Sequence, residues 1–329
     1  MKRTEEMVWA YMLKVGTNMW CDTVPPTWSH YAPDEVHFKK AADYLRCDDA
    51  LWRELTVKAR AAGFNMLLMD LGEGIQYPSH PELAVKGSWS VEKLQTELSR
   101  LRAMGLEPIP KMNFSTGHDT WLGEYARMVS TPDYYRVCSD LIRDVAELFG
   151  HPRWMHLGYD EENFGNQKFY EYACVRQGEL WWHDFLWFVK TVESHGVRAW
   201  IWSDRVWDHK EEFLARMPRS VLQSNWYYLT DFNPDPKKNR YQRKTEAYRV
   251  LEKAGFDQVP TSSNHADDRS FAANVDFCLR NVSPARLKGF LMSAWRHTVP
   301  HFRARLEGAI DVARPVIERT RRKSDSLVS

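Results

Sequence analysis

No stretch of this 329-residue chain approaches the about 20 consecutive apolar residues that a membrane-spanning helix needs. An excess of one charge is missing too. The 45 lysines and arginines nearly cancel 44 aspartates and glutamates, leaving a formal net charge of +1. That balance offers no electrostatic hold to nucleic acid or to an anionic membrane surface, and neither is expected as a partner. The five cysteines (Cys21, Cys47, Cys138, Cys174, Cys278) are scattered, odd in number and without CxxC spacing. They argue against a disulfide framework and for free, mostly buried thiols in a reducing compartment. The start, MKRTEEMVWAYML, has neither the clean apolar stretch nor the small-residue cleavage site of a secretory signal, so a cytoplasmic protein is expected. With no linker, low-complexity segment or internal repeat, one catalytic domain over residues 1–329 is expected, with a basic tail from about Arg319.

What the chain has in excess is aromatic surface: 15 Trp, 14 Tyr and 15 Phe. Packing or ligand stacking must account for it. Strand-like runs occur at Tyr11–Trp20, Phe64–Leu71, Glu107–Phe114, Trp154–Asp160, Arg198–Asp204, Val221–Tyr228, Phe256–Ser262 and Gly289–Trp295. Helical periodicity lies between them, most clearly over Val91–Met104, where Leu94, Leu98, Leu101 and Met104 share a face. Further helices are read from Thr131-Pro132 to Gly150, from about Gln177 to Gly196, and from about Pro300 onward. Alternating strands and crossover helices imply a parallel sheet. Eight units without a GxGxxG after the first strand favour α/β architecture of the single (β/α)8 TIM-barrel type over an open doubly wound sheet.

Such barrels place chemistry at the C-terminal ends of their strands. Those ends here carry Asp70 and Glu73, then Asn113 with the downstream His118, then His156, Asp160, Glu161 and Glu162. Trp202 and Asp204 follow, then Asn225, Trp226 and Tyr227, then His265, and finally Trp295. Carboxylates and aromatics on one rim suit a carbohydrate, whose C–H faces stack on rings while its hydroxyls take polar groups. Trp181, Trp182 and Trp187 fall inside a helix and read as packing; His30, His37, His151, His183 and His195 need no role. Three adjacent carboxylates, Asp160-Glu161-Glu162, repel one another when desolvated, so one of their pKa values should rise, as a general acid requires. Strand alternation puts His156, Gly158, Asp160 and Glu162 on one face. Glu161 turns inward only if the strand ends or bulges there, which keeps Glu162 in reserve as the acid.

His156-x-Gly158-x-Asp160-Glu161 resembles the HxGxDE signature of family 20 glycoside hydrolases, the β-N-acetylhexosaminidases. Gly63-Phe64-Asn65-Met66-Leu67 is similar to that family's second strand, and Tyr77-Pro78 through Gly87 and Ser90 to the segment before its next helix. Gly105-Leu106-Glu107-Pro108-Ile109-Pro110, with Asn113 and Gly117-His118, resembles its third strand and Gly-His loop. Asn225-Trp226-Tyr227-Tyr228-Leu229 is similar to a stretch with a substrate-binding tyrosine, and Trp202 and Trp295 fall where the family has aromatic walls. The resemblance is close from about residue 60 to 165 and loose beyond. It implies a substrate-assisted retaining hydrolysis of 2-acetamido sugars. Asp160 would orient the acetamido group, Glu161 would serve as acid and base, His118 would support them, and Tyr227 would bond the acetamido oxygen. No cofactor is implied. The absence of a glutamate at Ser262-Ser263-Asn264-His265 agrees with an internal nucleophile.

The chain also departs from the family. Lys14–Trp20 lacks the arginine expected after strand one, and Lys111 stands where a glutamate is usual; the family's small α+β domain is not expected before the barrel. Exo or endo action and the sugar stay open. So do two other readings. A divalent-metal sugar isomerase or lyase would draw on Asp70, Asp204, Glu161 and His265. A catalytically silent carbohydrate-binding barrel would keep the aromatics without needing the carboxyl pair. The aromatic content is compatible with a homodimer.

Overall fold

The computed structural model describes residues 6–328; the charged start at residues 1–5, part of the N-terminal reading above, lies outside them. The chain alternates as β1 (Val8–Lys14), α1 (Asp49–Ala61), β2 (Met66–Asp70), α2 (Val91–Ala103), β3 (Glu107–Lys111), α3 (Pro132–Leu148) and β4 (Trp154–His156). It continues through α4 (Phe164–Gln167), α5 (Gly178–Ser194), β5 (Arg198–Trp202), α6 (Arg205–Asp208), α7 (Lys210–Arg216), β6 (Leu222–Ser224) and α8 (Gln242–Lys253). β7 (Thr261–Ser263), α9 (Ser270–Asn281), β8 (Gly289–Ser293) and α10 (Arg303–Val328) complete it. Helix starts follow side-chain caps: Asp48 accepts from the Leu51 N–H, Ser90 from Lys93, and Thr131 from Tyr134 with Pro132 at the first helical position.

All eight strands are parallel, in the order β6-β5-β4-β3-β2-β1-β8-β7. The ring is closed by backbone bonds between the β6 and β7 segments: Val259 N–H to the Gln223 carbonyl at 2.8 Å and Thr261 N–H to that of Asn225 at 2.9 Å. This is the (β/α)8 barrel. Alternate residues point inward, and Val8, Ala10, Met12, Met66, Leu68, Ile109, Trp154, Trp200 and Leu291 fill the interior. One layer higher the inward positions become polar. Lys14, Asp70, Lys111 and His156 lie side by side in register, with Lys111 Nζ 3.0 Å from Asp70 Oδ1. Outward residues pack against the helices, where Trp181 and Trp182 of α5 are buried and Trp187 packs against the same cluster.

Several expected boundaries shift. β1 stops at Lys14 rather than Trp20, because the chain turns at Gly16, where a Cβ would lie 2.0 Å from the Leu71 carbonyl oxygen. Residues 15–48 therefore form a long connection. β4 ends at His156 instead of Asp160. The expected basic tail is helix: Arg319 pairs with Asp276 of α9 at 2.8 Å, and Arg321 with Glu6 at 3.3 Å. All five cysteines are free, with Cys21, Cys138 and Cys278 buried. Among the described residues no helix is long and apolar enough to cross a membrane.

Candidate active site

The exit of β4 is bent. Gly158, Tyr159 and Glu161 all have positive φ, at 69°, 70° and 52°. For the tyrosine and the glutamate that conformation costs about 1–3 kcal/mol each, a strain held only where surrounding contacts dictate it. Those contacts are present. Asn113 Oδ1 accepts from the Tyr159 N–H at 3.3 Å, while its Nδ2 donates to Asp160 Oδ1 at 2.9 Å. Ser115 Oγ donates to the Asp160 carbonyl at 2.5 Å, and the Glu161 N–H donates to Asp204 Oδ2 at 3.0 Å. Glycine is required at 158, since a Cβ there would lie 2.1 Å from Asn113 Oδ1. The bend breaks strand alternation, so Asp160 and Glu161 both line the same cavity.

His118 lies beneath this pair. Its Nε2 is 3.4 Å from Asp160 Oδ2 and 3.5 Å from Glu161 Oε2, ion-pair contacts without an aligned hydrogen bond. Burial opposes protonation of the ring, but the charge of Asp160 and the contacts with both carboxylates prevail and push its pKa up to about 10. Reciprocally, burial acts to raise the Asp160 pKa, and His118, Lys111 and Asn113 outweigh it and hold the carboxyl at about 2. A carboxyl just beyond β5 is raised. Burial, then the charges of Asp160 and Glu161, push Asp204 up to about 7, opposed by the hydrogen bond from Glu161, and Asp204 Oδ1 has no partner among the described residues.

The cavity encloses about 510 Å³. Trp202 is packed 5.6 Å edge-on to Trp295, and Trp226 stacks on Tyr228 with centroids 5.2 Å apart and planes 20° from parallel. The connection between β1 and α1 supplies the facing wall with Trp20, Trp28, Tyr31 and Lys39. A concave, aromatic, mixed-polarity cleft beside two ionisable carboxyls is suited to a sugar.

The other residues read from the sequence divide between support and error. Asn113 and His118 position the acid pair. His156 lies in the barrel between Trp200 and Trp202, its Nδ1 accepting from the Gly158 N–H at 2.9 Å; burial, reinforced by Lys111, keeps it far below the usual histidine pKa. Asp70 is committed to Lys111, and Glu73 accepts from the Thr17 and Asn18 N–H groups at 2.7 and 2.9 Å, tying down the chain after β1. Neither lines the cavity. Asn225 is likewise structural, accepting from Trp207 Nε1 and donating to the Lys244 carbonyl.

Two expectations are corrected. Tyr227 points outward, with its hydroxyl on the Asp231 carbonyl at 2.8 Å; the tyrosine in the cavity is Tyr228. Glu162 is not available as an acid, because both its oxygens hold the buried Arg176 guanidinium, with Nη2 to Oε2 at 2.8 Å. The hard-ligand set Asp70, Asp204, Glu161 and His265 is not assembled. Among the described residues, the group whose ligand atoms converge within 4.8 Å is His118, Asp160 and Glu161, and a metal there would have to displace the His118 proton. His30, expected to have no role, sits in the cavity wall with its ring 3.9 Å from that of His265. Trp20, Trp28 and Tyr31 were missed because residues 15–31 of the connection form no regular element that a periodicity could expose, and Lys39 because it ends a single short helical segment, Pro33–Lys39; Arg296 follows β8 at a strand end included in the sequence reading. For Tyr228 a signal existed: Leu222, Ser224, Trp226 and Tyr228 share the inward face of β6 and its extension.

No protein-family profile matches the sequence, and no curated protein matches it. Solved structures do. The fold is that of the family 20 glycoside hydrolase barrel. A Flavobacterium johnsoniae chitobiase superposes with a TM-score of 0.60 at 17% identity, over 81% of this chain and 45% of that one. The Streptomyces plicatus N-acetyl-β-hexosaminidase gives 0.58 at 14% identity, over 94% and 64%. A β-N-acetylhexosaminidase from Bacteroides fragilis gives 0.57 at 13%, over 92% and 65%. This chain thus spans roughly half to two thirds of the length of these enzymes.

Proposed function

We propose that the protein is a glycoside hydrolase that cleaves β-linked 2-acetamido sugars, using the substrate's own amide as nucleophile. The observation that carries this is the adjacent pair Asp160 and Glu161 in one aromatic cavity, with Asp160 held ionised by His118 while Glu161 Oε2 reaches the cavity. An ionised Asp160 accepts the acetamido N–H and raises the nucleophilicity of its carbonyl oxygen. That oxygen attacks the anomeric carbon as the glycosidic bond breaks. The leaving oxygen takes a proton from Glu161, and a cyclic oxazolinium remains. Glu161, now a carboxylate, takes a proton from water, which attacks the same carbon, reopens the ring and gives a product of retained configuration. Tyr228, rather than Tyr227, is placed to hold the acetamido oxygen, and Trp202, Trp226 and Trp295 to bound the sugar ring. The structural likeness to hexosaminidases supports this reading at the level of the fold.

The test is hydrolysis of chromogenic β-N-acetylglucosaminides, β-N-acetylgalactosaminides and plain β-glycosides by the protein and by Glu161→Gln. The proposal expects turnover only of the 2-acetamido sugars, reduced at least about 10²-fold in the variant. Equal turnover of sugars without the acetamido group would sink the mechanism.

A further inference from the structure

The cavity wall carries four cationic side chains, Lys39, Lys168, Lys244 and Arg296, against two carboxylates, Asp160 and Glu161. None of the four makes an ion pair with a described residue. Asp160 already has a counter-charge in His118, and Glu161 shares it. The surplus concentrates at one end. Lys39 is 3% exposed, and its Nζ makes no hydrogen bond to a described residue. It is held by aromatic faces instead, 3.3 Å from the Trp20 ring centroid, 4.6 Å from Tyr31 and 4.9 Å from Trp28. The Arg296 guanidinium lies over the same Tyr31 ring at 4.0 Å and otherwise bonds only the carbonyl oxygens of His30 and Trp295.

A buried lysine beside a buried arginine, open to a ligand cavity and with no carboxylate in ion-pair contact with either, is an arrangement a neutral sugar leaves without a counter-charge. Arginine and lysine together also match the geometry of an oxyanion group. We propose that Lys39 and Arg296 form the subsite for an anionic substituent, sulfate or carboxylate, so that the substrate is an acidic glycan. This rests on the hydrolase reading and narrows its substrate class. Burial, together with Lys14 and Arg296, pushes the Lys39 amine toward its neutral form, opposed by Cys21 and Glu161, and an entering anion would act in the same direction as those two.

The experiment is calorimetric binding to the full chain carrying Glu161→Gln, which prevents turnover. Three probes are compared: methyl β-N-acetylglucosaminide, its 6-sulfate, and a disaccharide of N-acetylhexosamine with a uronic acid. The proposal expects at least one charged probe to bind about tenfold or more tightly than the neutral one at low salt, with the preference shrinking as salt is raised. The same preference should fall to within about threefold of unity in Lys39→Met, which keeps the bulk inside the aromatic box, and in Arg296→Gln. Preference for the sulfate probe places the anion on the cleaved sugar; preference for the uronate places it on the neighbour. Equal binding of all three probes, or a preference that ignores salt and both variants, overturns the subsite and leaves the hydrolase reading standing. Binding of none of the three overturns both. Should the variants not fold, the salt dependence of the three affinities decides.

Discussion

The backbone N–H of Glu161 donates to Oδ2 of Asp204 at 3.0 Å, so the carboxylate just beyond β5 holds the bent exit of β4 in place. Glu161 owes its left-handed φ of 52° to this bond and to Asn163 and Asn166, whose side-chain amides cap its carbonyl. The proposed acid is therefore aimed by neighbouring loops rather than by its own strand.

Asp204 makes this arrangement pH-dependent. Its pKa of about 7 in the fold exceeds the ordinary value near 4, so the native state keeps a proton that the unfolded chain releases between about pH 4 and 7. The penalty of the ionised form is absent below about pH 4, grows across that window and is complete above 7. Asp204→Asn keeps an oxygen for the Glu161 N–H but does not titrate. Thermal melts of both proteins across this range should show the variant gaining stability relative to the parent as pH rises from about 4 to 7. A difference that stays constant with pH would contradict the assignment.

The ion pair of His118 and Asp160 titrates at both ends of the pH range. Asp160 is depressed to about 2, so its contribution is present above about pH 4 and lost as pH falls through 2. His118 is raised to about 10, so its contribution is complete below about pH 6.5 and lost as pH rises through 10. His118→Gln leaves Asp160 buried without its counter-charge, and the expected loss near pH 5.5 is about 3–5 kcal/mol by denaturant unfolding. The loss should shrink toward pH 10. A uniform loss at all pH values would show a packing defect instead.

Glu161 and Glu162 are adjacent, yet their substitution should separate cleanly. Glu162→Gln breaks the buried pair with Arg176, which also reaches Asp184 at 3.0 Å, and should lower stability by about 3–5 kcal/mol. Folded Glu162→Gln should keep activity within about tenfold, whereas Glu161→Gln should retain its melting temperature and lose at least about 10² in kcat. Activity assays paired with melting curves distinguish the two; the reverse pattern would make Glu162 the acid.

The barrel was legible in the sequence because eight apolar, aromatic-rich runs, such as Val8–Lys14 and Met66–Asp70, alternate with helical segments such as Val91–Ala103. Asp160, Glu161 and His118 were legible through their motif, not through periodicity. Alternation alone pairs Asp160 with Glu162; the positive φ at Tyr159 and Glu161 reverses that choice, and it is imposed by Asn113 and Asp204 from other strands. Lys39 and Trp20 were illegible for a related reason. They reach the cavity from a connection fixed by distant contacts, such as Glu73 with Thr17 and Asn18. No local pattern encodes such contacts.

The most direct test of the central claim uses the thiazoline analogue of the cyclic intermediate, in which sulfur replaces the attacking oxygen. If the substrate's amide is the nucleophile and Asp160 orients it, the protein should bind this bicycle at least about 10² times more tightly than N-acetylglucosamine, and Asp160→Asn should lose that advantage. Binding no tighter than that of the simple sugar, or tight binding that Asp160→Asn leaves intact, would contradict the account.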